Sequence, residues 1–141
     1  MKPFKPFRSF QLRWREPLGR PECPYLYRWT LILFGFSIRL HHWIRSDDKR
    51  HFHDHPVDFI SIVLRGWYTN VTPEGSFRVQ APACWISRGD KRHYLDIPPG
   101  GAWTLLICSR PYRKWGFWVN GRRLRPLAYF HKYGTPPCDV Q

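Results

Sequence analysis

The sequence is short of acid, of methionine and of long apolar runs. It has 141 residues, a single Met, and 10 Asp and Glu set against 23 Lys and Arg, for a formal charge of +13. Its longest charge-free apolar run, residues 29–38, is far too short to cross a bilayer, which excludes a transmembrane helix. The start, residues 1–6, has no apolar h-region, so no signal peptide is expected and the expected location is cytoplasmic. The four cysteines, Cys23, Cys84, Cys108 and Cys138, include no C-x-x-C pair and are not the framework of a secreted mini-protein. Cys84 and Cys108 lie in apolar stretches and read as reduced core residues. No repeat or low-complexity segment is present, and no window carries a capped amphipathic helical stripe.

What is abundant points elsewhere. Aromatics make up 18%, with eight Trp, and exclude disorder; the length suits one domain. Seventeen of the 23 cations are Arg, and the net charge of +13 suggests an acidic partner, either nucleic acid or a small anion. Residues 1–22 are basic and proline-punctuated, an extended arm or late edge segment. Residues 25–44 read as two strands with a bend at Gly35; Phe36, Ile38 and Leu40 alternate with Ser37, Arg39 and His41, the pattern of a half-buried strand. Residues 59–64 form a buried strand, punctuated by Gly66. Residues 67–72 continue it to a Pro73-Glu74-Gly75 turn, and further strands are expected over 77–80, 83–87, 93–97, 102–109 and 115–119, with a hairpin at Asn120-Gly121. Eight or nine short strands imply an all-β, single-domain antiparallel sandwich or barrel over residues 23–125, followed by an irregular tail, 126–141.

The histidines carry the chemistry. In an extended chain, i and i+2 share a face, so His53 and His55 stand about 6.6 Å apart along the strand and can converge on one ion. His51 has the same parity but lies about 13 Å from His55 if extended, so it is a lesser candidate, as is His41. Asp54 faces the other way. A third ligand must come from a distant strand, and His93, following the Gly89 turn, is the best placed. The competing reading is a solvated His-rich loop.

His53-Asp54-His55, a buried strand and Gly66 resemble the first motif of the cupin superfamily: His-x-His, three or four residues, Glu, six residues, Gly. The Glu position holds Phe59. Of the second motif, Gly89 and His93 are present, the Pro is missing, and Ile97 stands at the Asn position. The chain is also similar to small cupins with His-Asp-His-Pro (residues 53–56), a Ser in the next strand (Ser61), Gly66, and Trp-Gly-Phe near the C-terminus (residues 115–117). The resemblance covers residues 36–119 and implies a jelly-roll barrel holding a divalent metal. With no Glu, it implies a three-His site of His53, His55 and His93; Asp58 is a rival ligand under a register beginning at His51.

Three neutral imidazoles leave a +2 ion uncompensated, which favours a small anionic substrate. Fe(II) suits oxygen activation, with Zn, Mn and Ni as alternatives. Three-His cupins include thiol dioxygenases, so the resemblance suggests a dioxygenase-type oxidoreductase, other cupins being isomerases, lyases or binding proteins; it also suggests a homodimer by edge pairing. Tyr68 and Tyr94 are candidates for acid–base or hydrogen-bonding roles, and Arg65 or Arg92 for clamping a carboxylate or phosphate, against their reading as solvated strand-edge cations. Ser61 shares parity with His55 and reads as packing or support. Trp103, Trp115, Phe117 and Trp118 are expected in the core. Arg110, Arg113, Lys114, Arg122, Arg123 and Arg125, set among aromatics, form the alternative nucleic-acid surface.

Overall fold

A computed structural model describes residues 10–138. Eleven strands and one short helix are present among them: β1 (Phe10–Arg20), β2 (Cys23–Leu33), β3 (Phe36–Trp43), β4 (Phe52–His53), β5 (Phe59–Thr72), β6 (Gly75–Gln80), β7 (Ala83–Ser87), β8 (Tyr94–Asp96), β9 (Ala102–Cys108), β10 (Phe117–Val119), β11 (Arg122–Leu124) and α1 (Pro126–Tyr133). The large sheet runs β1-β2-β3-β9-β5-β6, with β7 and β8 also paired to β5, and every pairing is antiparallel. A small sheet, β11-β10-β4, carries the start of the histidine segment. The architecture is an all-β jelly roll.

The arm expected over residues 1–22 falls partly outside the described residues; its described part forms β1, an edge strand paired along most of its length with β2. The tail is not irregular throughout. Pro126 opens α1 at a position where its missing N–H costs nothing, and Tyr129 is the side chain by which the helix is buried. Residues 67–72 continue the strand that begins at Phe59, the two parts forming the single element β5. The first half of β5 pairs with β7 and β9, the second with β6 and β8, and a register shift between Val63 and Arg65 turns the corner. Gly66 sits at that corner with φ +78°, where a Cβ would meet the Gly101 carbonyl oxygen at 2.5 Å.

The alternation in β3 selects the opposite face from the one its hydrophobicity suggests. Ser37, His41 and Trp43 are buried, while Phe36 and Ile38 are exposed, Ile38 by 41%. Register explains this. Leu12, Leu31, Ile38, Ile107, Ile60 and Ile86 line up across six strands as one aliphatic row on the outer face. The inner face places Thr30, Ser37, Thr104 and Ser61 inside the barrel. Trp103 belongs to the outer layer, stacked on His42 and Trp29, rather than to the core. Cys84 is likewise exposed on this side, although Cys108 is buried.

The apolar core fills the barrel toward the Trp43 end of β3, from Leu26, Trp43, Val63, Tyr68, Val79, Leu95, Ile97 and Ala102. At the other end a smaller group, Val57, Phe59 and Cys108, packs beneath the histidine segment. Cys23 and Cys138 form a disulfide that ties the start of β2 to the chain beyond α1. Arg45 donates to the carbonyls of both cysteines, and Arg50 to those of Tyr133 and Gly134. The sequence reading does not pair these cysteines, because a separation of 115 residues leaves no local signal. No helix among the described residues is long and apolar enough to cross a membrane.

Candidate metal centre

Backbone pairing brings two of the histidines together. His53 and His93 form an antiparallel bridge, each N–H donating to the other's carbonyl at 3.0 Å. Directly opposed residues project to the same side, and the ring centroids stand 5.1 Å apart. Two residues on, the His55 N–H donates to the Gly89 carbonyl at 2.8 Å, holding the segment against the turn that leads into His93. His55 Nε2 then lies 2.8 Å from His93 Nε2. One ligand nitrogen from each of His53, His55 and His93 falls within 4.8 Å of the others. Two nitrogens bound about 2.1 Å from one ion at a right angle stand about 3.0 Å apart, so the donor set fits a single divalent metal.

The surroundings prepare these rings for ligation. The Asn70 side-chain oxygen, 2.9 Å from His93 Nδ1, can only accept, so Nδ1 keeps its proton and Nε2 keeps its lone pair. Burial holds all three imidazoles neutral. His53 is lowered to about 4, and His93 is pushed well below the ordinary range by burial and then by His53. His55 is pushed down by burial, then by His93, His53, Arg39 and His41. Asp47 lies 3.8 Å from His53 Nε2, its own carboxyl raised well above the ordinary range chiefly by burial. The Phe59 ring, at the position where the cupin pattern has Glu, turns an edge toward His55 at 5.2 Å.

Asp54 points away from the cluster, as its parity requires, and staples the histidine segment from behind. It is wholly buried, accepts from the Gly116 N–H at 2.8 Å and from Trp118 Nε1 at 3.0 Å, and pairs with Arg113 at 3.1 Å. The same Arg113 nitrogen donates to the carbonyls of His55 and Gly89. One guanidinium thus joins the ligand segment, the turn before His93 and the buried carboxylate. Gly116 is fixed by close approach: a Cβ there would stand 2.1 Å from the Leu124 carbonyl oxygen.

The other sequence candidates go elsewhere. His51 leaves the cluster and bonds the Tyr129 hydroxyl at 2.8 Å. Asp58 binds the Gly89 N–H and the Tyr112 hydroxyl instead of facing the histidines. Tyr68 is buried in the core, where its oxygen accepts from Trp85 Nε1 and contacts Ser61. Tyr94 stacks on Phe52. Arg65 is exposed opposite Trp103, while Arg92 lies 3.4 Å over the Trp118 ring and lines a cavity together with Asn70, Trp85 and His93. Of the C-terminal cations, Arg113 and Arg123 turn to Asp54, and Arg110 donates to the Phe34 carbonyl.

Sequence reasoning missed the arginines that do line the barrel. Arg28 lies opposite His41, and Arg39 opposite Thr30, on the inner faces of β2 and β3. The signal was the alternation in β3, with Arg39 and His41 on the face that turned inward. Asn70 and Arg113 had no signal, because their roles depend on partners 23 and 58 residues away.

No protein-family model and no curated protein sequence matches the chain. Solved structures match its fold. A sugar phosphate isomerase of the cupin superfamily from Silicibacter pomeroyi superposes with a TM-score of 0.56 at 17% identity, over 81% of this chain and 79% of that one. The Fe(II) form of HppE superposes with a TM-score of 0.55 at 13% identity, over 67% of this chain and 56% of that one. An oxalate decarboxylase reaches 0.51 at 16% identity, over 68% of this chain and 28% of that one. The chain therefore spans little more than half of HppE and about a quarter of the decarboxylase. At these identities the likeness establishes the fold: this chain has the cupin fold.

Proposed function

We propose that this cupin-fold protein is a metal-dependent oxidoreductase of the dioxygenase type, acting on a small anionic metabolite at a centre held by His53, His55 and His93. The observation that carries the reading is the 2.8 Å approach of His55 Nε2 to His93 Nε2, with Asn70 fixing which His93 nitrogen is free. A divalent ion held there would supply Lewis acidity and, as Fe(II), oxygen activation. Three neutral imidazoles bring no compensating negative charge, so an anionic substrate is the natural partner for such a centre. The Fe(II) form of HppE, whose fold this chain shares, supports iron over Zn, Mn or Ni.

The protein's own residues supply position and exclusion. Arg113 and Asp54 fix the histidine segment, Asn70 fixes the His93 ring, and Phe59 with Trp85 closes the apolar side of the site. Elemental analysis of the purified protein should return about one metal per chain, lost in His55→Ala and His93→Ala. Oxygen uptake by the Fe(II)-loaded protein, screened over small carboxylates, thiols and phosphates, tests the reaction class. A protein that takes up no divalent metal overturns the proposal.

A further inference from the structure

The barrel interior beside the histidines holds positive charge that the chain does not neutralise. Arg28, Thr30, Arg39 and His41 are neighbours on the inner faces of β2 and β3. Glu16 is the carboxylate in reach among the described residues, and it stands 4.0 Å from both Arg28 and Arg13. Arg39 makes one side-chain bond, from Nε to the Ser37 hydroxyl at 3.2 Å. Arg13 and Arg28 therefore share one carboxylate at 4.0 Å, and Arg39 has no carboxylate partner among the described residues.

Unmet hydrogen bonds mark the same place. His41 is only 6% exposed, yet neither of its ring nitrogens has a partner, and Arg28 Nε is also unpartnered. Buried polar atoms are rarely left unpaired unless something outside the chain completes them. Burial and the neighbouring Arg39 charge hold the Arg28 guanidinium below its ordinary value, so an anion placed between the two would relieve both burdens. Arg39 bonds Ser37, which lies opposite Cys108; Cys108 in turn lies opposite Phe59, whose ring meets that of His55 at 5.2 Å.

We propose that Arg28, Arg39 and His41 form an oxyanion site inside the barrel, taking the carboxylate or phosphoryl group of the substrate and directing the rest of the molecule toward His55. The identification of that molecule as substrate rests on the function proposed above; the oxyanion site itself does not need the metal. Two planar guanidinium forks suit the paired oxygens of a carboxylate or phosphoryl group, and a neutral His41 adds one N–H donor. The site is separate from the expected clamp of Arg65, which is exposed, and Arg92, which lies over Trp118.

The test is calorimetric titration of inorganic phosphate and, separately, of acetate into the full chain at low salt, in chelator-treated and metal-loaded forms. Wild type should bind one of the two anions at one site per chain in the chelator-treated form, and the anion that binds identifies the head group. Arg39→Gln and Arg28→Gln should each weaken that binding at least tenfold, whereas Arg65→Gln should leave it unchanged. Arg39→Gln should retain wild-type metal content, which separates this site from the metal centre. His41 ring 15N shifts should move on anion addition in wild type, a readout that needs no variant to fold. Absence of binding to wild type, or equal binding by Arg39→Gln, overturns the oxyanion site. Anion binding by a protein that takes up no metal would uphold it while removing the metal-centred function.

Discussion

His93 donates its Nδ1 proton to the Asn70 side-chain oxygen at 2.9 Å, and this one bond decides which ring nitrogen faces His55. Asn70 lies in the second half of β5, buried and opposite Leu95, so its amide is held by the sheet. Replacing it with Leu leaves the His93 tautomer free. Metal affinity should fall by about 10–100-fold, measured by competition with a chromophoric chelator, with the far-UV circular dichroism unchanged. Unaltered affinity would show that the bond does not orient the ligand.

Arg113→Ala removes three contacts at once and leaves the Asp54 carboxylate buried without its nearest cation. Urea unfolding should report a loss of about 3–5 kcal/mol, the range for breaking one side of a buried pair. Metal affinity should fall with it, because His55 and the Gly89 turn are no longer tied together. A loss below about 1 kcal/mol would mean that Arg123 or water takes over.

Acid should destabilise the metal-free protein from about pH 6.5 downward. His41 is lowered to about 3 and His53 to about 4, both by burial, while the unfolded chain titrates them near 6.5. Between those limits the unfolded state binds more protons, so stability is complete above about 6.5 and falls as the pH drops, by about 1.4 kcal/mol per unit for each such group. His41→Leu should flatten the slope by one proton. It should also raise stability at pH 7.5 by about 1 kcal/mol, since it removes two buried unpartnered nitrogens. A slope unchanged by His41→Leu would place the titration elsewhere.

Reduction of Cys23–Cys138 should lower stability by about 2–5 kcal/mol, because the bridge closes a separation of 115 residues and removes entropy from the unfolded chain. Thermal melts with and without reductant measure this. Such a bond persists in oxidising compartments and is kept reduced in most cytosols, so thiol titration of protein recovered from its native source would test the cytoplasmic expectation.

The outer sheet face should tolerate polarity that the inner core does not. Ile38→Ser, at a side chain 41% exposed, should cost less than about 1 kcal/mol, whereas Leu26→Ala in the core should cost about 2–5 kcal/mol in the same denaturant assay. Comparable costs would mean that this face is covered in solution.

Much of the fold was legible because period-2 patterning and turn residues are local. Gly35, Pro73-Glu74-Gly75 and Asn120-Gly121 all stand at strand boundaries, and β7 spans the expected residues 83–87. β1 and β11 were less visible: an edge strand studded with Arg and Pro, and a three-residue strand, carry little apolar signal. The histidine spacing was equally legible, since side-chain parity along an extended chain needs no tertiary information. The Glu-to-Phe59 departure from the cupin pattern was visible too, and the ring does stand beside His55.

The sequence by itself determined an all-β chain and two histidines on one face, because both follow from backbone geometry over a few residues. Tertiary structure decided which face of β3 turned inward. Six strands put their aliphatic residues in register on the outside, leaving Arg28, Arg39 and His41 within. It also gave the abundant arginine a physical account. Arg20, Arg45, Arg50, Arg110, Arg113 and Arg123 donate to backbone carbonyls, most of them far away in sequence, and Arg15, Arg78 and Arg92 lie over aromatic rings. A planar five-donor fork can satisfy such groups where a lysine ammonium cannot match the geometry. No composition reveals that, because each partner exists only once the strands have met.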